Sequence, residues 1–183
     1  AALNAPSSEQ YEMLSGSAEI DSVGVRTDVV LPSFVNTGFD TNGADLFYGL
    51  RFYNTSEWEN HRVPVLENIN GTYPSRTDEI MVPTWVLEKW DITEPYIGMG
   101  LPFSYQSASM QEAEQKTFHL SGWFDEYDYI GDGNVAYLLV SETFCNEAGF
   151  DIWSIQETTA DMRFSNTQNI AEITSGIESS LKL

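Results

Sequence analysis

The segment HRVPVLENINGTYPSRTDEIMVPTWVLEKWDITEPYIGMGLPFS, residues 61–104, holds a turn, a strand, a helix and a second strand in close order. Gly71 and Pro74 punctuate its first part, since glycine supplies unusual φ values and proline fixes its own. Glu79, Ile80, Met81 and Val82 form a brief strand. Pro83 stands at a first helical position, where its missing N–H is not needed. Behind it, Val86, Leu87 and Trp90 give the apolar spacing of a helix over 85–90. Gly98 and Gly100 lead into a strand over 101–105.

Outward from this segment the chain alternates strands and short helices. C-terminal to it, residues 106–114 read as a polar loop and EQKTFHLSGWFDEY, residues 114–127, carries a strand over 116–124. Residues 136–140 form another strand. Ser141 then starts a helix holding Phe144 and Cys145. A last strand spans 161–164, and a last amphipathic helix spans 167–181 with Ile170, Ile173, Ile177 and Leu181 along one side. N-terminal to the segment, Ser7 and Ser8 precede Tyr11, Met13 and Leu14, a helix-start pattern with Gly16 as its stop. Ile20, Val23, Val25, Val29 and Val30 make a β-branched strand. Residues 36–43 are a polar turn, 45–53 a second strand and hairpin partner of the first, and 55–59 a short helical turn. This order, α-β-β, then a β-rich middle with one helix, then α-β-α, predicts an α+β fold in two lobes. Residues 1–59 and 139–183 build one lobe, and 60–138 form an inserted β-rich lobe.

Composition bounds the function. The chain has 183 residues, 42% hydrophobic and 13% aromatic, enough for a packed core. Its net charge is −20, with eight Lys plus Arg against 28 acids. Phosphate binding needs a basic surface, so nucleic acid is excluded as a partner. An anionic membrane surface is disfavoured for the same reason. The acid excess reads as solubility in a salty exterior, with cation or basic-ligand binding as the alternative. No apolar run of about 20 residues crosses a bilayer. The absent initial Met and signal peptide make the chain read as an excised or processed fragment. Two N-x-S/T sequons, at Asn54 and Asn70, read as chance.

Catalytic and metal chemistry find weak footing. Cys145 is the one cysteine, and no basic neighbour in sequence lowers its pKa, so it reads as a buried thiol. Two histidines and one cysteine at scattered spacing form no zinc signature. His119 sits between Phe118 and Leu120, so it points away from their face and is exposed. His61 lies in an acidic loop and also reads as a surface residue. The acidic stretch 125–134 is the best candidate contact loop, through Asp125, Glu126, Tyr127, Asp128, Tyr129, Asp132 and Asn134. Its calcium-loop pattern fails: counting from Asp128, position three is Ile130 and position twelve is Leu139, not a bidentate acid. Tyr127, Tyr129 and Trp123 could stack on sugar rings or pack between strands. With so many acids, carboxylate pairs arise by chance, so a secreted hydrolase using paired carboxylates stands as an alternative beside a secreted carbohydrate- or peptide-binding module. No phosphate loop of the G-x-x-x-x-G-K type exists, so no ATP hydrolysis is expected of this chain.

A series of short motifs resembles one family across nearly the whole chain. Ile20-Asp21-Ser22-Val23-Gly24 is similar to a V-x-S-V-G strand. Asp78-Glu79-Ile80 matches an acidic-E-I element, with Pro83 where a Ser cap is more usual. Ile97-Gly98 followed by Leu101 matches I-G-x-x-I, and Phe118-His119-Leu120-Ser121-Gly122 matches F-x-V-x-G. Val140-Ser141-Glu142-Thr143-Phe144 resembles a strand-to-helix step, and Asp161-Met162-Arg163-Phe164-Ser165-Asn166 a closing strand and turn. In this order they resemble the extracytoplasmic, MacB-like periplasmic core domain of FtsX-like ABC-transporter permeases. The resemblance implies a ferredoxin-like αβ sandwich with a β-rich subdomain inserted. It implies no catalytic residue and no cofactor. The implied partners are a cognate ABC ATPase, the permease's own membrane helices and an extracytoplasmic protein or peptide. The implied place is the outer face of the cell membrane, and the isolated domain is expected to be a monomer.

Overall fold

A computed structural model describes residues 1–39, 46–126, 134–165 and 170–181. Nine strands are described: β1 (Ala2–Asn4), β2 (Ile20–Thr37), β3 (Phe47–Tyr53), β4 (Glu67–Gly71), β5 (Glu79–Pro83), β6 (Gly100–Tyr105), β7 (Glu114–Asp125), β8 (Val135–Val140) and β9 (Thr158–Phe164). The helices are α1 (Ser8–Ser15), α2 (Thr84–Lys89), α3 (Glu142–Glu147) and α4 (Ile170–Leu181). A π-helical segment, Glu57–Arg62, runs into a 3₁₀ turn at Val63–Val65. The architecture is α+β, as the sequence predicts, with few helices on one large sheet.

Local chemistry explains most of these bounds. Ser7 caps α1 by accepting from Gln10 N–H at 3.1 Å, while Gln10 returns a bond to Ser7 N–H at 2.9 Å. This reciprocal pair satisfies two otherwise orphaned donors. Ser141 caps α3, accepting from Phe144 N–H at 2.9 Å, and its hydroxyl also donates to Arg76 O at 2.7 Å. Pro83 is the cap residue of α2 rather than its first helical residue.

The sheet closes on itself. β3 pairs antiparallel with β2 and parallel with β8; β8 pairs with β5, β5 parallel with β7, and β7 antiparallel with β6. β6 then returns to β2 through Val35↔Tyr105, Asn36↔Ser104 and Thr37↔Phe103. Alternate residues of these strands face one cluster: Tyr48, Leu50 and Phe52; Ala136, Leu138 and Val140; Ile80 and Val82; Phe118 and Leu120; Leu101, Phe103 and Tyr105. A period of two places each set on one side of its strand. Val86, Leu87 and Trp90 of α2 and Phe144 and Cys145 of α3 join the same cluster. The expected inserted segment 60–138 is therefore hydrogen-bonded into the same ring and core as its flanks. A second cluster lies on the opposite face, where Tyr53, Met81, Phe124 and Leu139 pack under Trp58, Leu66, Ile69 and Tyr73.

Other expectations change as well. β2 runs to Thr37, so Asn36 and Thr37 belong to a strand and not to the turn expected over 36–43. The reason is a bend: Pro32 and Ser33, the latter with φ of 81°, re-aim the strand instead of ending it. The register against β3 shifts on either side of Val30. The helical turn expected over 55–59 is a π segment reaching Arg62. β1 and β4 were not anticipated, β1 being only three residues long and β4 largely polar.

Candidate functional site

The expected contact loop 125–134 joins β7 to β8. Asp125 ends β7, and its carboxylate accepts from Asn68 Nδ2 at 2.6 Å, which holds it below its ordinary pKa. Glu126 is half-buried, and its charge adds to the burial that raises the Tyr53 phenol. Asn134 is exposed and its carbonyl accepts from Phe47 N–H at 2.7 Å. Tyr127, Asp128, Tyr129 and Asp132 lie outside the described residues. Trp123, read with those tyrosines as either stacking on sugar rings or packing between strands, is half-buried and packs on the main core. β3 and β8 are parallel and begin side by side at Phe47↔Val135. Phe47 and Val135 thus start two neighbouring strands at one end of the sheet.

The strongest electrostatic constellation lies elsewhere, under the π segment. Glu57 is fully buried. Its Oε1 accepts from Arg62 Nε at 2.6 Å, and Arg62 Nη2 reaches Asp161 Oδ2 at 3.3 Å. Arg26 Nε lies 3.9 Å from the same Asp161 oxygen. Burial raises the Glu57 pKa, and Arg62 works against it. The second carboxylate oxygen, Oε2, has no hydrogen-bond partner among the described residues and lies 3.9 Å from His61 Nδ1. His61 Nε2 is 3.1 Å from Ser22 Oγ. His61 is not the surface residue expected: its side chain is 13% exposed. Burial, with Arg163 adding to it, lowers its pKa.

Ser22, His61 and Glu57 therefore stand in the order of a nucleophile, base and acid, a grouping the sequence did not reveal because its members come from distant segments. The geometry does not equip it for acyl transfer. The acid–imidazole distance exceeds a hydrogen bond, and the carboxylate is already held by Arg62. None of the grooves described below is lined by Ser22 or His61. Its role is to tie β2, β9 and the π segment together.

His119 behaves as expected of a strand's outer face. It is 41% exposed, with Nδ1 at 3.0 Å from Asp78 Oδ2. Beside it, Glu79 accepts from the N–H groups of Ser75 and Arg76 at 2.8 and 3.0 Å. Burial acts to raise the Glu79 pKa, but these backbone donors outweigh it and hold the carboxyl below its usual value. Cys145 is buried, and burial pushes its thiol up to about 12, which makes it an inert core residue. Among the described residues, no group of three or more His, Cys, Asp or Glu could hold a metal ion.

Shallow grooves mark the surface of the described residues. One of about 310 Å³ is floored by Tyr53, Trp58 and Tyr73. Trp58 and Tyr73 are in ring contact at 5.0 Å, and the Tyr73 hydroxyl is spent on Tyr53 N–H and Val140 O. Another, of about 480 Å³, lies where β2 bends and is lined by Val29, Leu31, Phe34, Phe150 and Ile155.

No family model and no curated protein matches the chain. Solved structures do share its fold. The extracellular domain of the noncanonic ABC-type transporter YknZ from Gram-positive bacteria aligns over 93% of this chain and 78% of its own, with a TM-score of 0.59 at 10% identity. The periplasmic region of MacB from Actinobacillus actinomycetemcomitans aligns over 98% of this chain and 76% of its own, with a TM-score of 0.59 at 12% identity. A domain of a putative permease protein from Porphyromonas gingivalis aligns over 98% and 71%, with a TM-score of 0.55 at 8% identity. At such identities the likeness is one of fold. The chain has the α+β fold found in the extracellular and periplasmic domains of MacB- and YknZ-like transporter permeases, as the sequence motifs suggested. Those neighbours are parts of membrane transporters, whereas no helix among the described residues of this chain is long and apolar enough to cross a membrane.

Proposed function

We propose that this chain is the extracytoplasmic domain of an FtsX/MacB-like ABC-transporter permease. In this reading it sits on the outer face of the cell membrane, between membrane helices of the same polypeptide. A separate ATPase drives those helices, and the domain couples their motion to the handling of a substrate or partner outside. It performs no catalysis itself. The observation that carries the reading is the fold likeness to three such domains over at least 93% of the chain. The absence of a phosphate loop in the sequence agrees with ATP hydrolysis elsewhere.

Within this reading the loops at 125–134 and 36–43 are contact surfaces, since polar connections on a packed scaffold carry binding. The pairing of Phe47 with Val135, the first residues of the strands that follow the two loops, supports reading them together. Deleting either loop in the full transporter is expected to abolish its phenotype, and unchanged transport would remove that assignment. The reading as a whole is tested by sequencing the parent reading frame. An apolar span of about 20 residues shortly before Ala1 and another soon after Leu183 are expected. A signal peptide before Ala1 with no later span would overturn it in favour of a free secreted module.

A further inference from the structure

One edge of β2 is shared by two strands that do not meet. β9 holds it as far as Thr27↔Thr158, with Asp28 N–H donating to Glu157 O at 3.5 Å. β6 takes the edge again at Val35↔Tyr105, with Gln106 N–H donating to Phe34 O at 2.9 Å. Between them, among the described residues, no strand pairs with β2 on this side. The gap spans five residues, 29–33, or roughly 15 Å of extended chain. It opens into the 480 Å³ groove. Leu31 and Phe34 stand on its lip, 39% and 54% exposed. With Val29, Phe150 and Ile155 they line one continuous apolar groove.

The gap is not suited to strand addition. Pro32 has no N–H to offer, and Ser33 at φ 81° breaks the pleat. What remains is recognition through side chains. The charge around the groove selects the occupant. Its lining contains Asp28 and Glu157 and no Lys, Arg or His. Asp28 is already met by Arg51, at 2.5 and 3.1 Å, whereas Glu157 is exposed on the rim. The whole chain adds a field of net charge −20. A neutral or acidic apolar segment would meet this field unaided, while lysines or arginines beside the apolar residues would be drawn to it.

We propose that the notch in the β2 edge docks a short segment of a partner protein that presents apolar side chains flanked by Lys or Arg. This rests on the reading of the domain as one that meets a protein or peptide outside the membrane, but its measurement is separate from the reading-frame test above. The probe is a synthetic peptide with a Leu-Phe-Leu centre and lysines on either side, titrated into the isotope-labelled 183-residue chain; its counterpart carries glutamates instead. The lysine peptide is expected to shift the resonances of Leu31, Phe34 and Ile155, and the glutamate peptide is not. Phe34→Ser and Leu31→Ser lie on the surface and leave the core intact; each is expected to weaken binding at least about tenfold. Glu157→Lys, which tests charge without touching the apolar lip, is expected to weaken binding of the lysine peptide relative to the parent chain. Equal binding of both peptides, shifts that map elsewhere, or no binding at all would overturn the proposal. So would self-association of the chain that Phe34→Ser abolishes, which would make a second copy the occupant, or shifts at these residues produced by detergent micelles alone, which would make it lipid.

Discussion

Gly24 has no room for a side chain. A Cβ built there would lie 2.5 Å from the Cα of Glu57 and nearer still to its carboxylate. The π segment thus presses its backbone onto β2 at one point. Gly24→Ala must push that segment away or bend the strand, and backbone is harder to shift than a side-chain tip. Overpacking in a core costs about 1–3 kcal/mol, and the upper end is expected here, read as a lower urea midpoint at unchanged slope. A loss below about 0.5 kcal/mol would mean that the segment is loosely held. His61, beside it, makes the network sensitive to pH. Its folded pKa lies below the ordinary 6.5 because of burial and then Arg163. Between the folded value and 6.5 the unfolded chain binds the proton more readily, so stability rises with pH through that window. Replacing His61 by Gln should remove this rise: the stability difference between about pH 7.5 and about pH 5.5 shrinks relative to the parent. An unchanged difference would assign the pH dependence to other groups. Glu57, its pKa raised by burial, acts with the opposite sign above the ordinary carboxylate value of 4.5, so the comparison with the parent is needed to isolate the imidazole.

β2 is the element on which the architecture turns, since its two halves have different neighbours on one edge. Ser33 supplies the bend at φ 81°, a conformation in which a Cβ is strained and a glycine is not. Ser33→Gly is therefore expected to stabilise the protein, by up to about 1 kcal/mol once the extra entropy of the unfolded glycine is subtracted. Ser33→Val should destabilise it. Thermal unfolding of the pair decides the matter, and a destabilised Gly variant would show that the Ser side chain, not the backbone, sets the bend. The same element shows what the sequence could and could not reveal. β3, β5, β6, β7 and β8 were legible because their apolar residues alternate and face one core. β2 was legible only to Val30, because Pro32 reads as a strand's end when it is a turn within one. β4, as Glu-Asn-Ile-Asn-Gly, shows one half-buried residue and four exposed ones, which leaves no periodic signal. The charge network was hidden for a different reason. Ser22, Glu57 and Asp161 are far apart in the chain, and only tertiary packing unites them. Of the contact loop expected over 125–134, Asp125 belongs to the end of β7, Glu126 and Asn134 flank the connection, and the rest lies outside the described residues.

At the scale of the whole molecule the open matter is whether the outer segments and residues 60–138 are separate units. The division into lobes remains a proposal about topology, and the core argues about energetics. Leu50 and Phe52 come from one segment, Ile80, Leu101 and Phe118 from the second, and Val140 and Phe144 from the third, yet all belong to one cluster. Phe118 and Phe144 are in ring contact at 5.4 Å across two of these segments. Neither part can bury its apolar face alone, so both should be lost together. Cys145 supplies a probe for the outer part, because its buried thiol, with a pKa pushed up to about 12, is protected from disulfide reagents until the core opens. Trp85, Trp90 and Trp123 report on the inserted part by fluorescence, once Trp58 and Trp153 are replaced by Phe. In urea, the midpoint for thiol exposure and the midpoint for fluorescence are expected to coincide, with a single slope. Two midpoints separated by more than about 0.5 M, against the 1–3 kcal/mol/M slopes of small domains, would make the lobes independent folding units despite their shared core.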